Sequence, residues 1–473
     1  MKIIPNYKLA KISSFLGQAK KAFVQQSWAS GGVLLLCVVI AMLLANLPAT
    51  RELYHQFLET ELSISVVGPL TDEGTRLIDW TFPNGMNVEK FINDILMVVF
   101  FFTVGLEIKR EVRIGELSSA KKAMLPVIAA AGGMAMPAMI FALFNHGTAA
   151  ASGWGIPTAT DIAFAVGILS FLGDRVPVSL KVFLTALAIA DDLGAILVVA
   201  FFYGGTVNIT LLAISLLILI FTYIMNQMGE KRMAFYLVPA LAVWFLFYYA
   251  GIHATMSGVV MAMMIPMDPK YKRAYLTRRS KEYEMRLKLY DECYWGEAFP
   301  NELQRHCLRR MTFINNNSMG MSYRLEHALS PWVNFCIMPI FALANAGVEI
   351  PDLSYFNIFR YSPELGSVGM GVFFGLLLGK PIGITLASWL AVKMKFGEMP
   401  QNATWKMLFA VACLGGIGFT MSIFVDTLSF ADAHEHTEQL QAAGKIAILM
   451  GSLCAGILGS VLIGLLSGHK KQP

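Results

Sequence analysis

Apolar stretches, most of them close to the length of a membrane helix, recur along the chain and are separated by short polar or charged segments. About 20 apolar residues let an α-helix cross the hydrocarbon core of a bilayer. Twelve such stretches can be placed, over residues 31–49, 92–108, 123–144, 152–172, 179–203, 209–227, 233–250, 252–267, 329–348, 366–392, 404–426 and 443–467. The pattern predicts an all-α polytopic membrane protein. It divides the chain into a basic N-terminal segment (1–30), eight helices (31–267), a long charged loop (268–328), four more helices (329–467) and a short tail (468–473). Five lysines precede the first stretch, as in a signal peptide. That stretch is longer than the roughly 7–15 apolar residues of a signal core, so it reads as a retained span.

The charges between the stretches orient them. The N-terminus is basic; 50–91 is acidic, with Glu52, Glu59, Glu61, Asp72, Glu73, Asp79 and Glu89; Lys109, Arg110, Arg113, Lys121 and Lys122 follow the second stretch. Basic ends go on alternating with neutral or acidic ones as far as Lys470 and Lys471. Lys and Arg are retained on the cytoplasmic side, so twelve spans with both termini in the cytoplasm satisfy every loop.

Composition narrows the class. Of the 473 residues 56% are hydrophobic and 15% charged, against about a quarter charged in a soluble domain. The net charge of +5 forms no basic stripe interleaved with aromatics, which argues against a nucleic-acid partner. The six cysteines are scattered without metal or disulfide spacing, and most lie in apolar runs where Cys behaves as a small hydrophobe.

With that orientation, spans three to five begin inside and spans ten to twelve begin outside, as inverted three-helix repeats require. The middle span of each set is interrupted: the fourth by Gly155-Ile156-Pro157-Thr158-Ala159-Thr160-Asp161, the eleventh by Gly415, Gly416 and Gly418. Backbone freed inside a membrane must face protein or a polar cavity. Matched breaks in two halves predict helices 4 and 11 crossing at an ion site near the midplane.

Few ionisable residues lie within the spans. Asp161 follows the first break, Asp191 and Asp192 are adjacent midway along the fifth span, Lys380 is inside the tenth, and Asp94 is near the start of the second. Each costs about 2.5–3.5 kcal/mol at a helix centre, so each implies a partner or a cavity. A salt bridge that only fixes packing accounts for one such charge; three acids and a lysine point to transport. An Asp that is protonated on one side of the membrane and binds a cation on the other makes two ligands compete for one site. Competition with alternating access is exchange. Carboxylate oxygens, with the Thr160 hydroxyl beside Asp161, suit a hard cation such as Na+ or Li+.

Four motifs are specific enough to carry a resemblance: Thr158-Ala159-Thr160-Asp161-Ile162-Ala163-Phe164-Ala165, Ala188-Ile189-Ala190-Asp191-Asp192-Leu193-Gly194-Ala195, Leu378-Gly379-Lys380-Pro381, and Gly416-Ile417-Gly418-Phe419-Thr420-Met421-Ser422-Ile423-Phe424. Together they resemble the NhaA family of bacterial sodium/proton antiporters, over residues 31 to 467. That family is itself a known example of inverted repeats with broken helices, so the architectural agreement is not independent support. The resemblance implies that Asp192 is the main cation ligand, that Asp191 carries a proton, and that Lys380 pairs with Asp191 when sodium is absent. It places Asp161 and Lys380 at the helix crossing, offsetting the partial charges of half-helix ends. Two carboxylates serving one monovalent ion imply electrogenic exchange, for sodium and pH homeostasis across the bacterial inner membrane, with no cofactor.

Glu107 and Glu111 at the end of the second span, Glu326 before the ninth and His253 near the eighth match the family's pH-responsive region, although charges at span ends also simply obey the positive-inside rule. In the family a periplasmic hairpin joins two protomers; here Leu62 to Gly68 alternates like a strand, so the 61–90 segment is expected to make a homodimer. The basic N-terminus suits anionic membrane lipid. The charged 268–325 loop is longer than the family leads one to expect, and reads as a solvated face. Two alternatives share parts of this pattern: a cation channel, which needs no matched breaks, and an organic-anion or bile-acid-type carrier, which has little use for Asp191-Asp192 opposite Lys380. An intramembrane aspartyl protease is excluded, because Phe171 stands where its Gly-x-Gly-Asp signature needs the first glycine before Gly173-Asp174.

Overall fold

The computed structural model describes residues 27–67, 76–81, 85–205, 207–269, 271, 273–293, 300–350, 357–362, 366–431 and 436–467. Most of the N-terminal segment and the C-terminal tail lie outside them. Helices α1 (Ser27–Asn46) and α2 (Arg51–Glu59) are followed by strands β1 (Ser63–Val67) and β2 (Arg76–Thr81). Then come α3 (Val88–Ile114), α4 (Ala120–Asn145), α5 (Ala149–Phe171), α6 (Val178–Phe202), α7 (Ile209–Gln227), α8 (Ala234–Ala250) and α9 (Thr255–Met264). The chain continues with α10 (Arg273–Cys293), α11 (Glu302–Ser318), α12 (Met321–Asn345), α13 (Val368–Lys393), α14 (Trp405–Gly415), α15 (Phe419–Ser429) and α16 (Thr437–Ser467). Among the described residues nine helices are long and apolar enough to cross a bilayer, and α14 with α15, bent by 50°, makes a tenth span. The remaining two expected spans fall on α8 and α9, of 17 and 10 residues. At about 1.5 Å per residue α9 rises about 15 Å, so the eighth of the expected spans is a short helix.

The chain divides into two compact units. The larger comprises residues up to Phe100, Glu111–Gly205 and Pro331 onward. Its central seam is α4 against α13. Leu125 meets Gly397, Gly132 meets Gly383, Pro137 meets Gly379 and Phe141 meets Gly371. At the far end the Asn145 side chain accepts from Ser367 N at 2.8 Å and donates to Ser367 O at 3.2 Å. Residue numbers rise on one helix as they fall on the other, so the two equivalent helices of the repeats run antiparallel. A Cβ at Gly132 would stand 2.6 Å from Gly383 O; only glycine permits this backbone approach, the usual means of close helix packing in membranes. The interrupted spans are antiparallel as well: Ser152 Oγ donates to Ser429 O at 2.9 Å and Ser422 Oγ to Ile156 O at 2.8 Å. The same unit carries the β1–β2 hairpin, paired in register from Ser63↔Thr81 to Val66↔Ile78; the turn at 68–75 lies outside the described residues.

The smaller unit holds Phe101–Arg110 and Thr206–Ser330. Leu106 packs with Tyr236, Ala262 and Ile265, and Leu219 with Val243, Phe247 and Met261. Leu216, Leu217, Ile220, Phe221 and Ile224 of α7 are exposed, an apolar outer face that suits lipid. Gly251, at φ +79°, ends α8 in the left-handed conformation and lets the chain turn into α9. The expected 268–328 loop is folded here as α10 and α11. Glu282 pairs with Arg279 at 2.6 Å and Arg286 at 2.8 Å, Glu284 pairs with Lys288 at 2.9 Å, and Asn301 with Gln304 forms a capping box at the start of α11.

Candidate ion-exchange site

The site is built where two helices stop. Pro157 has no N–H to donate and ends the first half of α5, which is wound as a tight 3-10 helix over Ala149–Thr158. Ala159 to Asp161 are extended, and an α-helix resumes at Ile162. In the other broken span the chain leaves α14 at Gly415 and re-enters α15 at Phe419. A Cβ at Gly416 would fall on Leu376 O. The two breaks satisfy each other: Asp161 N donates to Ile417 O at 2.7 Å, and Thr160 Oγ1 donates to Gly415 O at 2.9 Å. Backbone freed by each interruption therefore finds protein partners, as a membrane interior demands.

Asp161 caps α-helix in both directions. Its Oδ1 accepts from Phe164 N at 3.2 Å in the resumed half of α5, and its Oδ2 accepts from Thr420 N at 3.3 Å and Thr420 Oγ1 at 2.5 Å in the first turn of α15. One carboxylate thus meets two helix N-termini, each carrying roughly half a positive charge. Lys380 follows a π-helical turn in α13, Gly375–Gly379, a feature frequent at functional sites. Its ammonium donates to Asp191 Oδ2 and, at 2.8 Å, to Thr160 Oγ1. Asp191 Oδ1 has no hydrogen-bond partner among the described residues. Asp192 is the next residue of α6, turned about 100° around the helix axis, and is buried as well.

Asp161, Asp191, Asp192 and Lys380 are 2%, 2%, 4% and 1% exposed. If all were ionised, three buried carboxylates would be set against one buried ammonium, which pairs with Asp191. Buried charge of that imbalance is not tolerated without protons or a cation to offset it. The arrangement is a site that must be loaded.

The other sequence-selected residues make contacts of their own. Asp94 lies in a π-helical turn of α3, Ile92–Leu96, beside Asn93, which is hydrogen-bonded to Asn345 in both directions at 3.1 and 2.8 Å. In the smaller unit Arg110 pairs with Glu326 and, at 3.8 Å, with Glu107. Glu111, in the larger unit, accepts from Glu116 N at 3.1 Å. His253 sits half-buried in the α8–α9 turn, its carbonyl accepting from Met256 N. Three polar groups escaped notice. Thr420 was visible only as part of a motif. Asp426 and Lys445 are buried, yet they fall at the ends of the 404–426 and 443–467 stretches, where charges are ordinary.

Residues 21–463 match the family model described as Na+/H+ antiporter 1. The chain belongs to this family. Among its relatives the Na(+)/H(+) antiporter NhaA of Oleidesulfovibrio alaskensis is 41% identical over 466 residues, covering 98% of this chain and 97% of that one. The Na(+)/H(+) antiporter NhaA of Pelagibacter ubique is 40% identical over 449 residues, covering 95% and 97%. The solved structure of the sodium proton antiporter MjNhaP1 from Methanocaldococcus jannaschii at pH 8 covers 98% of this chain and 99% of its own, with a TM-score of 0.50 at 12% identity, a likeness of fold alone. The Na+/H+ antiporter 1 family consists of multi-pass membrane transporters, not enzymes, and this chain is one of them.

Proposed function

We propose that this protein expels Na+, or Li+, from the cytoplasm in exchange for protons, and that Asp161, Asp191, Asp192, Thr160 and Lys380 form the exchange site. One observation carries the reading: a buried ammonium, Lys380, paired with buried Asp191, whose chain neighbour Asp192 is a second buried carboxyl. A cation arriving at Asp192 and Asp191 displaces Lys380 from Asp191 and takes over its charge-balancing role. Protons arriving from the other side neutralise the carboxyls and release the cation. Because both carboxyls can be loaded with protons while one monovalent ion leaves, exchange moves net charge and responds to membrane potential.

The charge pattern of the loops supports an inner-membrane orientation with both termini cytoplasmic and the 268–328 segment on the same side. The ion pairs around Glu107, Arg110 and Glu326, together with Glu111 and His253, are the proposed pH-responsive group, since altering one member's protonation changes which pairs survive. The β1–β2 hairpin, a two-stranded ribbon, is the proposed contact between two protomers, because an open strand edge readily pairs with a second copy. Anionic lipid is the proposed partner of the basic N-terminus.

Purified protein in liposomes with an acidic interior and a pH dye provides the test. Na+ or Li+, but not K+, is expected to trigger proton efflux, and Asp191→Asn, Asp192→Asn and Lys380→Ala are expected to abolish or severely slow it. Imposed voltage should alter the rate. No cation-triggered efflux at any pH, from protein shown to be folded, would overturn the antiport reading.

A further inference from the structure

Beyond the crossing, α15 buries several polar side chains. Thr420, Ser422, Asp426 and Ser429 are all buried. Ser422 and Asp426 are four residues apart and share a face. The Asp426 carboxyl is wholly buried, and neither oxygen has a hydrogen-bond partner among the described residues. A buried carboxylate left so is costly unless it is protonated or paired.

Among the described residues two ionisable groups are within electrostatic reach. Lys445, on α16, is buried and acts on Asp426 through its charge. Beside it Gly444 presents no side chain; a Cβ there would fall on Asp426 Oδ1. Tyr203, just past the end of α6, also feels the Asp426 charge. Its hydroxyl is already committed, donating to Ser152 O at 2.8 Å and accepting from Gly155 N at 3.1 Å. The 3-10 half of α5 and the Met338–Asn345 end of α12 also pack on α15, and neither contributes a titratable side chain. Lys445 is therefore the one cation these packed elements bring to the carboxyl.

We propose that Asp426 is a second proton-carrying station, on the side of the exchange site where α15 joins α16, with Lys445 as its charge partner. By the loop charges that side is periplasmic. Asp426 takes a proton from outside, then passes it inward. The O–H bond at Asp426 breaks, one forms at Asp161, and the negative charge moves from Asp161 to Asp426, where Lys445 balances it. Asp161 is held by Thr420, six residues or about 9 Å of helix rise from Asp426, so the transfer runs through intervening water. The station rests on the antiport reading and extends it with a defined outer route.

Full-length protein in liposomes, with pH varied independently on the two sides, tests it. Asp426→Asn is expected to slow Na+-triggered proton flux by about a hundredfold, the ordinary loss of a positioned proton carrier. The apparent Na+ affinity should hold, and the dependence on the pH of the α15–α16 side should flatten. Asp426→Glu should restore both. If the pair only fixes packing, Asp426→Asn with Lys445→Met will recover wild-type flux and pH dependence, which overturns the proposal. So does an Asp426→Asn variant that behaves as wild type.

Should the variants fail to fold, the wild-type protein decides. An apolar carbodiimide, which attacks protonated buried carboxyls, should modify Asp426 at low pH and lose that modification as pH rises, read by peptide mass mapping. No modification at any pH overturns the station. Absence of wild-type flux removes the antiport reading and the station together. Wild-type flux with an indifferent Asp426 removes only the station.

Discussion

The Thr420 hydroxyl donates to Asp161 Oδ2 at 2.5 Å, tying a carboxylate of one broken span to the first turn of the other. Thr420→Val keeps the shape and deletes the donor. Loss of a buried hydrogen bond to a charged group is expected to reduce stability in detergent by about 1–3 kcal/mol and to slow exchange. Thr420→Ser should retain most of both. Thermal unfolding of the two variants side by side checks this; a Thr420→Val variant as stable as wild type with a destabilised Thr420→Ser would assign the effect to methyl packing.

Lys380 and Asp191 form a buried pair. Removing one partner of such a pair typically costs about 3–5 kcal/mol, whereas removing both is often close to neutral. Lys380→Met should therefore lower the melting temperature well below wild type, and adding Asp191→Asn should recover most of it. Additive losses in the double variant would show that the two groups do not share this energy.

The α4–α13 seam has no room. Gly132→Val is expected to destabilise by at least about 1–3 kcal/mol through overpacking against Gly383 O. Gly32→Ala on α1, where an added Cβ meets nothing within 4 Å, should stay within about 0.5 kcal/mol of wild type. Yield and melting temperature in detergent compare them; similar behaviour of the two would contradict the seam.

A pH effect is expected on α10. The Arg279 hydrogen bond, with the charges of Arg279 and Arg286, holds the Glu282 carboxyl below the usual glutamate range. A depressed carboxyl stabilises above its unfolded value, and that support is lost as pH falls through the lower folded value. The group is solvent-exposed, so the effect is local and screened by salt. Hydrogen exchange across Arg273–Cys293, compared with Glu282→Gln, should show extra protection near neutral pH that vanishes in acid. A gap persisting in acid would exclude the ion pairs as its source.

What can be read from sequence here depends on how strongly the membrane penalises each residue. An ionisable side chain mid-span is costly enough to stand out alone, so Asp161, Asp191, Asp192 and Lys380 were visible, and Pro157 and Gly415–Gly418 marked the places where helices stop. Local winding was not visible. The 3-10 turns of Ala149–Thr158 and the π-turn ahead of Lys380 depend on neighbours such as Pro137 and Pro157, against which Gly379 and Gly375 are pressed. Asp426 and Lys445 were hidden for the opposite reason: at the edge of an apolar stretch a charge carries no penalty until packing shows that it is buried. In α10 the charges that read as a solvated face pair at i,i+3 and i,i+4 and support the helix.

The crossing of the broken spans is stitched largely through backbone atoms, at Asp161 N, Gly415 O, Ile417 O and Thr420 N. Such a joint depends on the number of residues on each side as well as on the Thr160, Asp161 and Thr420 side chains that complete it. A single-residue insertion or deletion within 158–161 or 415–420 would slide every one of these bonds out of register at once, whatever residue was added. Length variation, and with it any engineered insertion or reporter graft, belongs outside these two segments, where the chain can lengthen without any of these bonds taking part.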